Sequence, residues 1–198
     1  MHDETFDRYA EVITRDCLDY LASAGFQPLS ARATAMMKHE SFPIHAPIHH
    51  YLVPALLLSE VRKRQGRDEE TLRADLEEAT ERGRSVPGGS CGFLGACGAA
   101  VGVGIFWSLI TDTSPLSTKS WAYGNEETGK ALLALAAMGG PRCCKRAVYG
   151  ALHSAIPRIR ELLELNLPDE PVVCEFHDNN KECIRVRCPY HPDYRKAS

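Results

Sequence analysis

The sequence predicts a mostly α-helical protein: a compact helical domain with glycine-rich cysteine loops and a small C-terminal metal knuckle. Apolar residues recur at spacings of three and four along most of the chain. Runs in which apolar and polar residues alternate, as they do in β-strands, are scarce. The end of the chain is polar, rich in cysteine and poor in core-forming side chains. We therefore divide the chain into a helical domain, residues 1–166, and a knuckle, residues 167–198.

Four helices are predicted in the first half of the chain. Gly25 fits a C-terminal cap of the first helix, and Asp68 is the expected N-cap of the fourth. Because proline is tolerated only near the first turn, Pro54 predicts that the third helix begins around residues 50 to 53. The helical pattern covers residues 6–24, 28–38 and 48–64, and a fourth helix follows Asp68.

The second half of the chain is expected to be helical as well. Asn125 is the predicted N-cap of a helix, and Pro141 suits the first position of the next one, which Pro157 is expected to kink. The predicted helices span residues 99–110, 126–138 and 142–165. Residues 171–176 form the one plausible strand.

Composition excludes several classes of protein. The 198 residues carry a net charge of −3, with 44% hydrophobic and 25% charged residues, as in soluble globular domains. The first ten residues are acidic and polar and do not fit a secretory signal. Glycines interrupt the longest uncharged stretch, residues 85–111, which makes it a poor membrane span. We therefore expect a cytoplasmic protein that does not bind membranes. We also expect no binding of nucleic acid, since the runs of basic residues in the sequence are short.

Cys91 and Cys97 lie in a glycine-rich bend before a predicted helix. Exposed backbone N–H groups and the helix dipole favour thiolates there, which suits an iron–sulfur cluster, zinc or nucleophilic chemistry. The structural alternative is a close-packed contact between helices, with two inert buried cysteines.

A second cysteine pair, Cys143 and Cys144, opens a helix among basic side chains. The neighbouring Arg142, Lys145 and Arg146 favour thiolates or an anionic ligand at that helix N-terminus. Adjacent cysteines point in different directions, so we expect one of the two to reach a shared site; the sequence does not decide which one.

The third cysteine group lies in the tail and has the spacing C-x2-H-x5-C-x4-C-x2-H. Three cysteines and two histidines so close together are typical of a metal-stapled knuckle. Zinc bound by the three cysteines and one histidine is the first interpretation, a cluster with three cysteine ligands is the second, and free thiols in a loose tail are the third. The residues are Cys174, His177, Cys183, Cys188 and His191.

Histidines precede the third helix at His45, His49 and His50. They are candidates for a general base or a metal ligand, or they simply cap and cover the helix. We take His49 and His50 as the candidate catalytic bases. Arg142 and Lys145 are the candidate groups that hold a substrate carboxylate.

Several of these segments together resemble the DUF5714 family of uncharacterised domains. The segments are HHYLVPALL, VPGGSCGFLGACGAAVGVGIFWSLIT, GGPRCCKR and CEFHDNNKECIRVRCPY, and the resemblance covers roughly residues 39 to 191. Members of that family occur alone or attached to SAM-dependent methyltransferase or radical-SAM modules. The resemblance therefore implies a SAM-dependent methyltransferase or radical-SAM partner. The chain itself lacks the glycine loop and the cysteine triad of those enzymes.

The cysteine pattern is also similar, locally, to iron–sulfur serine dehydratases and cysteine desulfidases. That similarity implies cluster ligation by Cys91, Cys97 and either Cys143 or Cys144. Three ligands leave one iron open as a Lewis acid toward a substrate.

Three functions follow as hypotheses. The first is a metal-binding enzyme, with iron–sulfur or zinc, that acts on a small anionic or sulfur-containing substrate by elimination or sulfur transfer. The second is an accessory module that docks with a SAM-dependent partner or delivers sulfur or metal to it. The third is a thiol redox or persulfide carrier.

Overall fold

The computed structural model describes residues 4–195 and confirms the prediction of a mostly α-helical protein. Within those residues there are eight α-helices, one short 3-10 turn and no strand, so the strand expected at residues 171–176 is wrong. The helices are α1 Glu4–Ala22, α2 Leu29–Met37, α3 Ile48–Arg64, α4 Glu69–Ser85, α5 Ser90–Phe93, α6 Gly98–Ile110, α7 Ser120–Ala137 and α8 Cys144–Leu163, with the 3-10 turn at Arg185–Arg187.

Helix α3 forms the centre of the fold. Every residue from Ile48 to Val61 is buried, because α1, α2, α4, α6 and α8 all pack around it. A helix that is apolar on all sides is stable only in such a setting. Helix α7 lies outside this layer, where it contacts α6 and α8 and keeps Leu133 exposed to solvent.

Two glycines allow α6 to approach α3 closely. A Cβ atom at Gly98 would overlap the imidazole of His50, and one at Gly102 would lie 2.9 Å from the His50 carbonyl oxygen. Pro54 has no N–H to bond that carbonyl, which lies four residues before it in α3. Gly98 and Gly102 are therefore explained by helix packing at His50, whereas Gly104 leaves room for Thr128 of α7.

Three helix boundaries differ from those predicted. Helix α3 begins at Ile48 and continues through Pro54, α7 begins at Ser120 rather than after Asn125, and α8 begins at Cys144 after Cys143 as N-cap. The early start of α7 is supported by its contact with α6 rather than by a capping side chain.

The segment after α8 is folded back onto the helices. The ring of Tyr190 contacts the ring of Tyr149 in α8 at 5.3 Å between centroids. Within the tail, the Cys174 N–H donates to the Tyr190 carbonyl at 2.6 Å. In the described part of the chain, every helix is too short or too polar to cross a membrane.

Candidate functional site: two cysteine-lined cavities

Three segments bring cysteines to one open cavity, which we call the central cleft. Cys91 lies in α5, Cys97 is the N-cap residue of α6, and Cys144 is the first residue of α8. The cleft consists of two adjoining cavities of about 420 and 300 Å³, and both are lined by these three cysteines and by Arg142. Cys144 lines both cavities, whereas Cys143 lines only the larger one, so Cys144 is the better placed of the adjacent pair to act with Cys91 and Cys97.

Turns with glycine in the left-handed region shape the edges of this cleft. Gly89 (φ 82°) precedes α5, Gly95 (φ 66°) lies between Cys91 and Cys97, and Gly139 (φ 73°) begins the loop before α8. Residues with a side chain rarely adopt these values. The glycine-rich sequence therefore serves two purposes here, the tight turns around the cysteines and the contact between α6 and α3.

Burial dominates the acidity of the cleft thiols. It raises the pKa of Cys97, although the backbone N–H groups of Ala99 and Ala100 act in the opposite direction. It raises the pKa of Cys144 to about 11, where the neighbouring thiols add to the increase. The free thiols of Cys97 and Cys144 are thus protonated at neutral pH, in contrast to the thiolates that the sequence favours.

His49 and His50 both line the cleft and are held in defined tautomers. The His50 Nδ1–H donates to the Val86 carbonyl at 3.2 Å, and the His49 Nδ1–H donates to the Ala46 carbonyl at 2.9 Å. Each Nε2 atom therefore carries the lone pair. Burial lowers the pKa of both imidazoles, so they are neutral at pH 7 and able to accept a proton.

The third histidine of this segment points toward the tail. His45 Nε2 donates to Asn180 Oδ1 at 3.2 Å and lies 3.1 Å from Glu182 Oε2. His45 therefore links the loop before α3 to the tail, although its ring also lines one edge of the cleft.

The three basic residues around the cysteine pair have different roles. Arg142 is exposed at the cleft and forms no salt bridge in the described part of the chain, although its charge adds to the His45 hydrogen bond in lowering the pKa of Glu182. Arg146 is buried and donates to the carbonyls of Gly139 and Pro141 at 2.7 and 2.8 Å. Lys145 faces away from the cleft, so only Arg142 remains available to bind an anion there.

Lys145 is fully buried behind the first turn of α8. Its Nζ atom donates to the Pro43 carbonyl at 2.9 Å and lies 4.4 and 4.9 Å from the ring centroids of Phe42 and Phe176. Burial lowers the pKa of Lys145 to about 8. The sequence suggested a carboxylate-binding role for this residue, but its placement separates it from the residues that line the cleft.

A second, enclosed cavity lies between α8 and the tail, and we call it the tail cavity. Cys143 lines it together with the three tail cysteines, Cys174, Cys183 and Cys188. His177 and His191 also line it, so every residue of the predicted knuckle is brought together there. The sequence did not predict Cys143 as part of this group, because Cys143 meets the tail cysteines only when the tail folds onto α8.

No group of three or more histidine, cysteine, aspartate or glutamate side chains between residues 4 and 195 is gathered closely enough to hold a metal ion. All eight cysteines are unpaired, and the lone Cys17 is a core residue whose thiol donates to the Ala55 carbonyl at 3.5 Å. The iron–sulfur and zinc sites thus stay predictions.

Comparison with known proteins identifies a family but no characterised relative. The model of DUF5714, a family of unknown function, matches residues 19–191. No curated protein and no solved structure matches the chain significantly. The local similarity to iron–sulfur serine dehydratases and cysteine desulfidases thus stays an expectation.

Proposed function

The chain belongs to the DUF5714 family, and we propose that it is a metal-dependent enzyme that acts on a small anionic or sulfur-containing substrate in the central cleft. One observation carries this proposal: three cysteines from three separate segments line an open cavity beside an unpaired arginine and a neutral histidine. A contact made only for packing would not leave such a cavity open.

The donor set of the cleft fits an iron–sulfur cluster held by Cys91, Cys97 and Cys144. Such clusters are held by cysteine thiolates, and three protein ligands leave one iron for substrate. The larger of the two adjoining cavities, at about 420 Å³, leaves room for a cofactor and a small substrate. When bound, the cluster would supply a Lewis acid that polarises a hydroxyl, thiol or carboxylate. Binding requires the three thiols to move closer together than they are in this structure.

The residues of the chain itself would bind the substrate and move a proton. The exposed guanidinium of Arg142 offers two parallel N–H donors to a carboxylate at the mouth of the cleft. The Nε2 lone pair of His50 would accept the proton, because Val86 fixes its Nδ1–H. In an elimination, this proton leaves one carbon as hydroxide or hydrosulfide leaves the next, and a double bond forms between them.

Substitution of a cleft cysteine tests the proposal, and the measured quantity is the iron content of the purified protein. Protein purified without oxygen is expected to contain iron and sulfide, and Cys97→Ala is expected to lose both. Cys17→Ala is the matched control, because Cys17 lies in the core away from the cleft. Conversion of hydroxy- or thiol-carboxylic acids to the unsaturated acid, with release of water or hydrogen sulfide, would establish the reaction if it is lost in Arg142→Gln. Equal iron content in the parent and Cys97→Ala would contradict the proposal.

The same cleft also supports a second candidate, an accessory module for a SAM-dependent partner. Phe93 and Leu94 are 89% and 68% exposed next to Cys91, and exposed apolar side chains often mark a protein contact. This function predicts no turnover by the isolated chain and a defined complex that Phe93→Ser weakens. Either function requires a reducing compartment, for which we propose the cytoplasm, because the eight cysteines are unpaired.

A further inference from the structure

We propose that Cys143, Cys174, Cys183 and Cys188 bind one Zn²⁺ ion that fastens the tail to the N-terminus of α8. This site is separate from the central cleft and does not depend on the proposed enzymatic function. It differs from the knuckle that the sequence predicts, because a cysteine of the helical domain takes the place of a tail histidine.

The four cysteines approach the tail cavity from two directions. Cys143 comes from the start of α8, and the other three come from the tail. The cavity is small, at about 10 Å³, and is more enclosed than the central cleft. A site of this size suits a single ion surrounded by protein ligands, whereas a substrate would need an open position.

Hydrogen-bond donors already point at the sulfur atoms of this group. The N–H of Phe176 lies 3.4 Å from Cys174 Sγ, and the N–H of Arg185 lies 3.4 Å from Cys183 Sγ. Both donors are two residues beyond the cysteine that they bond. N–H groups aimed at sulfur stabilise the charge of a thiolate, which is the form that binds a metal.

Cys143 receives two such donors. The Arg146 N–H lies 3.4 Å from its Sγ atom, and Asn180 Nδ2 of the tail lies 3.3 Å from it. These bonds direct the Cys143 thiol toward the tail, although part of the residue also lines the central cleft.

His191 provides an independent sign of an anionic sulfur centre. Its Nδ1 atom accepts the Asp193 N–H at 3.1 Å, so the neutral ring carries its proton on Nε2. That Nε2 atom is buried at the tail cavity and has no partner among residues 4–195. A buried N–H without an acceptor is costly, and a thiolate in the cavity would accept it. The same tautomer prevents Nε2 of His191 from binding the metal.

His177 is the competing ligand. Its Nδ1–H donates to Asp178 Oδ1 at 3.0 Å, which leaves the Nε2 lone pair free in the neutral ring. We favour Cys143 over His177 because the Cys143 thiol is already bonded by a residue of the tail, whereas the His177 side chain is 23% exposed and is bonded to an exposed carboxylate.

Charge complementarity supports four thiolates. One Zn²⁺ and four thiolates leave a net charge of −2, and the buried Lys145 lines the same cavity. No carboxylate in the described part of the chain pairs with Lys145. Metal binding would release four thiol protons to solvent while the four zinc–sulfur bonds form. The side chains must rotate inward to close on the ion, because in this structure they are not gathered at ligand distances.

The test compares zinc and cobalt binding by the full chain and three variants. We expect one tightly bound zinc in the tail and, after exchange for Co²⁺, the intense charge-transfer absorption of four thiolates. Cys143→Ser is expected to lower the zinc affinity by about 100-fold or more, since one ligand of four is lost. Cys144→Ser, the adjacent cysteine, and His177→Gln are expected to keep the zinc affinity of the parent.

Three outcomes would overturn the proposal: unchanged zinc affinity in Cys143→Ser, loss of zinc in His177→Gln, or bound iron that Cys143→Ser removes and Cys97→Ala retains. If Cys143→Ser does not fold, the cobalt spectrum of the parent decides, because absorption of only three thiolates contradicts the four-cysteine site. A Cys97→Ala variant that loses iron and keeps its zinc gives information about the central cleft alone. The two proposals can therefore fail independently of each other.

Discussion

The side-chain amide of Asn180 donates to the thiol of Cys143, with 3.3 Å between Nδ2 and Sγ. Asn180 is 5% exposed, and its Oδ1 atom accepts the Glu182 N–H at 3.0 Å. One side chain therefore orders a turn of the tail and at the same time orients a cysteine of the helical domain. This contact is the most direct link between the tail and the start of α8.

Asn180→Ala is expected to weaken zinc binding by about 10- to 100-fold without abolishing it, because outer donors tune a metal site rather than form it. Competition with a coloured chelator measures the affinity. Asn125→Ala is the control, since its exposed amide bonds only the Trp121 carbonyl within α7. Unchanged affinity in Asn180→Ala would show that the bond to Cys143 Sγ does not support a metal site.

Gly98→Ala is expected to lower the free energy of unfolding by about 1–3 kcal/mol, because its Cβ would overlap the His50 ring and force α6 away from α3. Urea denaturation measures this loss. The control is Gly129→Ala in α7, where a Cβ meets no atom within 4 Å and the helix gains up to about 1 kcal/mol. Equal stability of the two variants would contradict the close packing at His50.

Removal of zinc by a strong chelator is expected to release the tail and leave the helices intact. The tail contains no α-helix and one 3-10 turn and adds little more than Phe176 to the apolar core, whereas seven of the eight helices, all but α5, contribute to that core. Limited proteolysis should then cut after residue 167, while circular dichroism retains most of its helical signal. Loss of the entire helical signal on chelation, or no new cleavage, would contradict a tail held by metal.

Lys145→Met is expected to affect the zinc form of the protein more than the metal-free form. In the metal-free form the cost of burying the cation disappears, but so does its bond to the Pro43 carbonyl, so the free energy of unfolding is expected to change by no more than about 1 kcal/mol. In the zinc form the substitution removes the charge that offsets a centre of −2, so zinc affinity falls by about 10-fold. Urea denaturation with and without zinc measures both effects. An equal loss in both forms would assign Lys145 a packing role alone.

The sequence predicted the helical class and most helix positions because periodic burial leaves a clear pattern. It misplaced the start of α3, since a helix surrounded on all sides tolerates Pro54 where the local rule forbids it. It misplaced the start of α7, because Asn125 looks like a cap while contact with α6 extends the helix back to Ser120. The strand expected at residues 171–176 does not form, because residues 4–195 contain no other strand with which it could pair.

The candidate sites were only partly predictable. The sequence identified three groups of cysteines, and the fold separates the adjacent pair, with Cys144 at the central cleft and Cys143 bonded to the tail. Local sequence could not decide this, because the direction of each thiol depends on where Asn180 lies. The opposite placement of Arg142 and Lys145 likewise follows from how α8 packs, not from their shared charge.

The most direct test of two separate metal sites is metal and sulfide analysis of anaerobically purified parent, Cys97→Ala and Cys143→Ser. We expect iron and sulfide to disappear only in Cys97→Ala and zinc to disappear only in Cys143→Ser. A parent that contains neither metal, or a variant that loses both metals while it remains folded, would contradict the assignment of one site to the central cleft and another to the tail cavity.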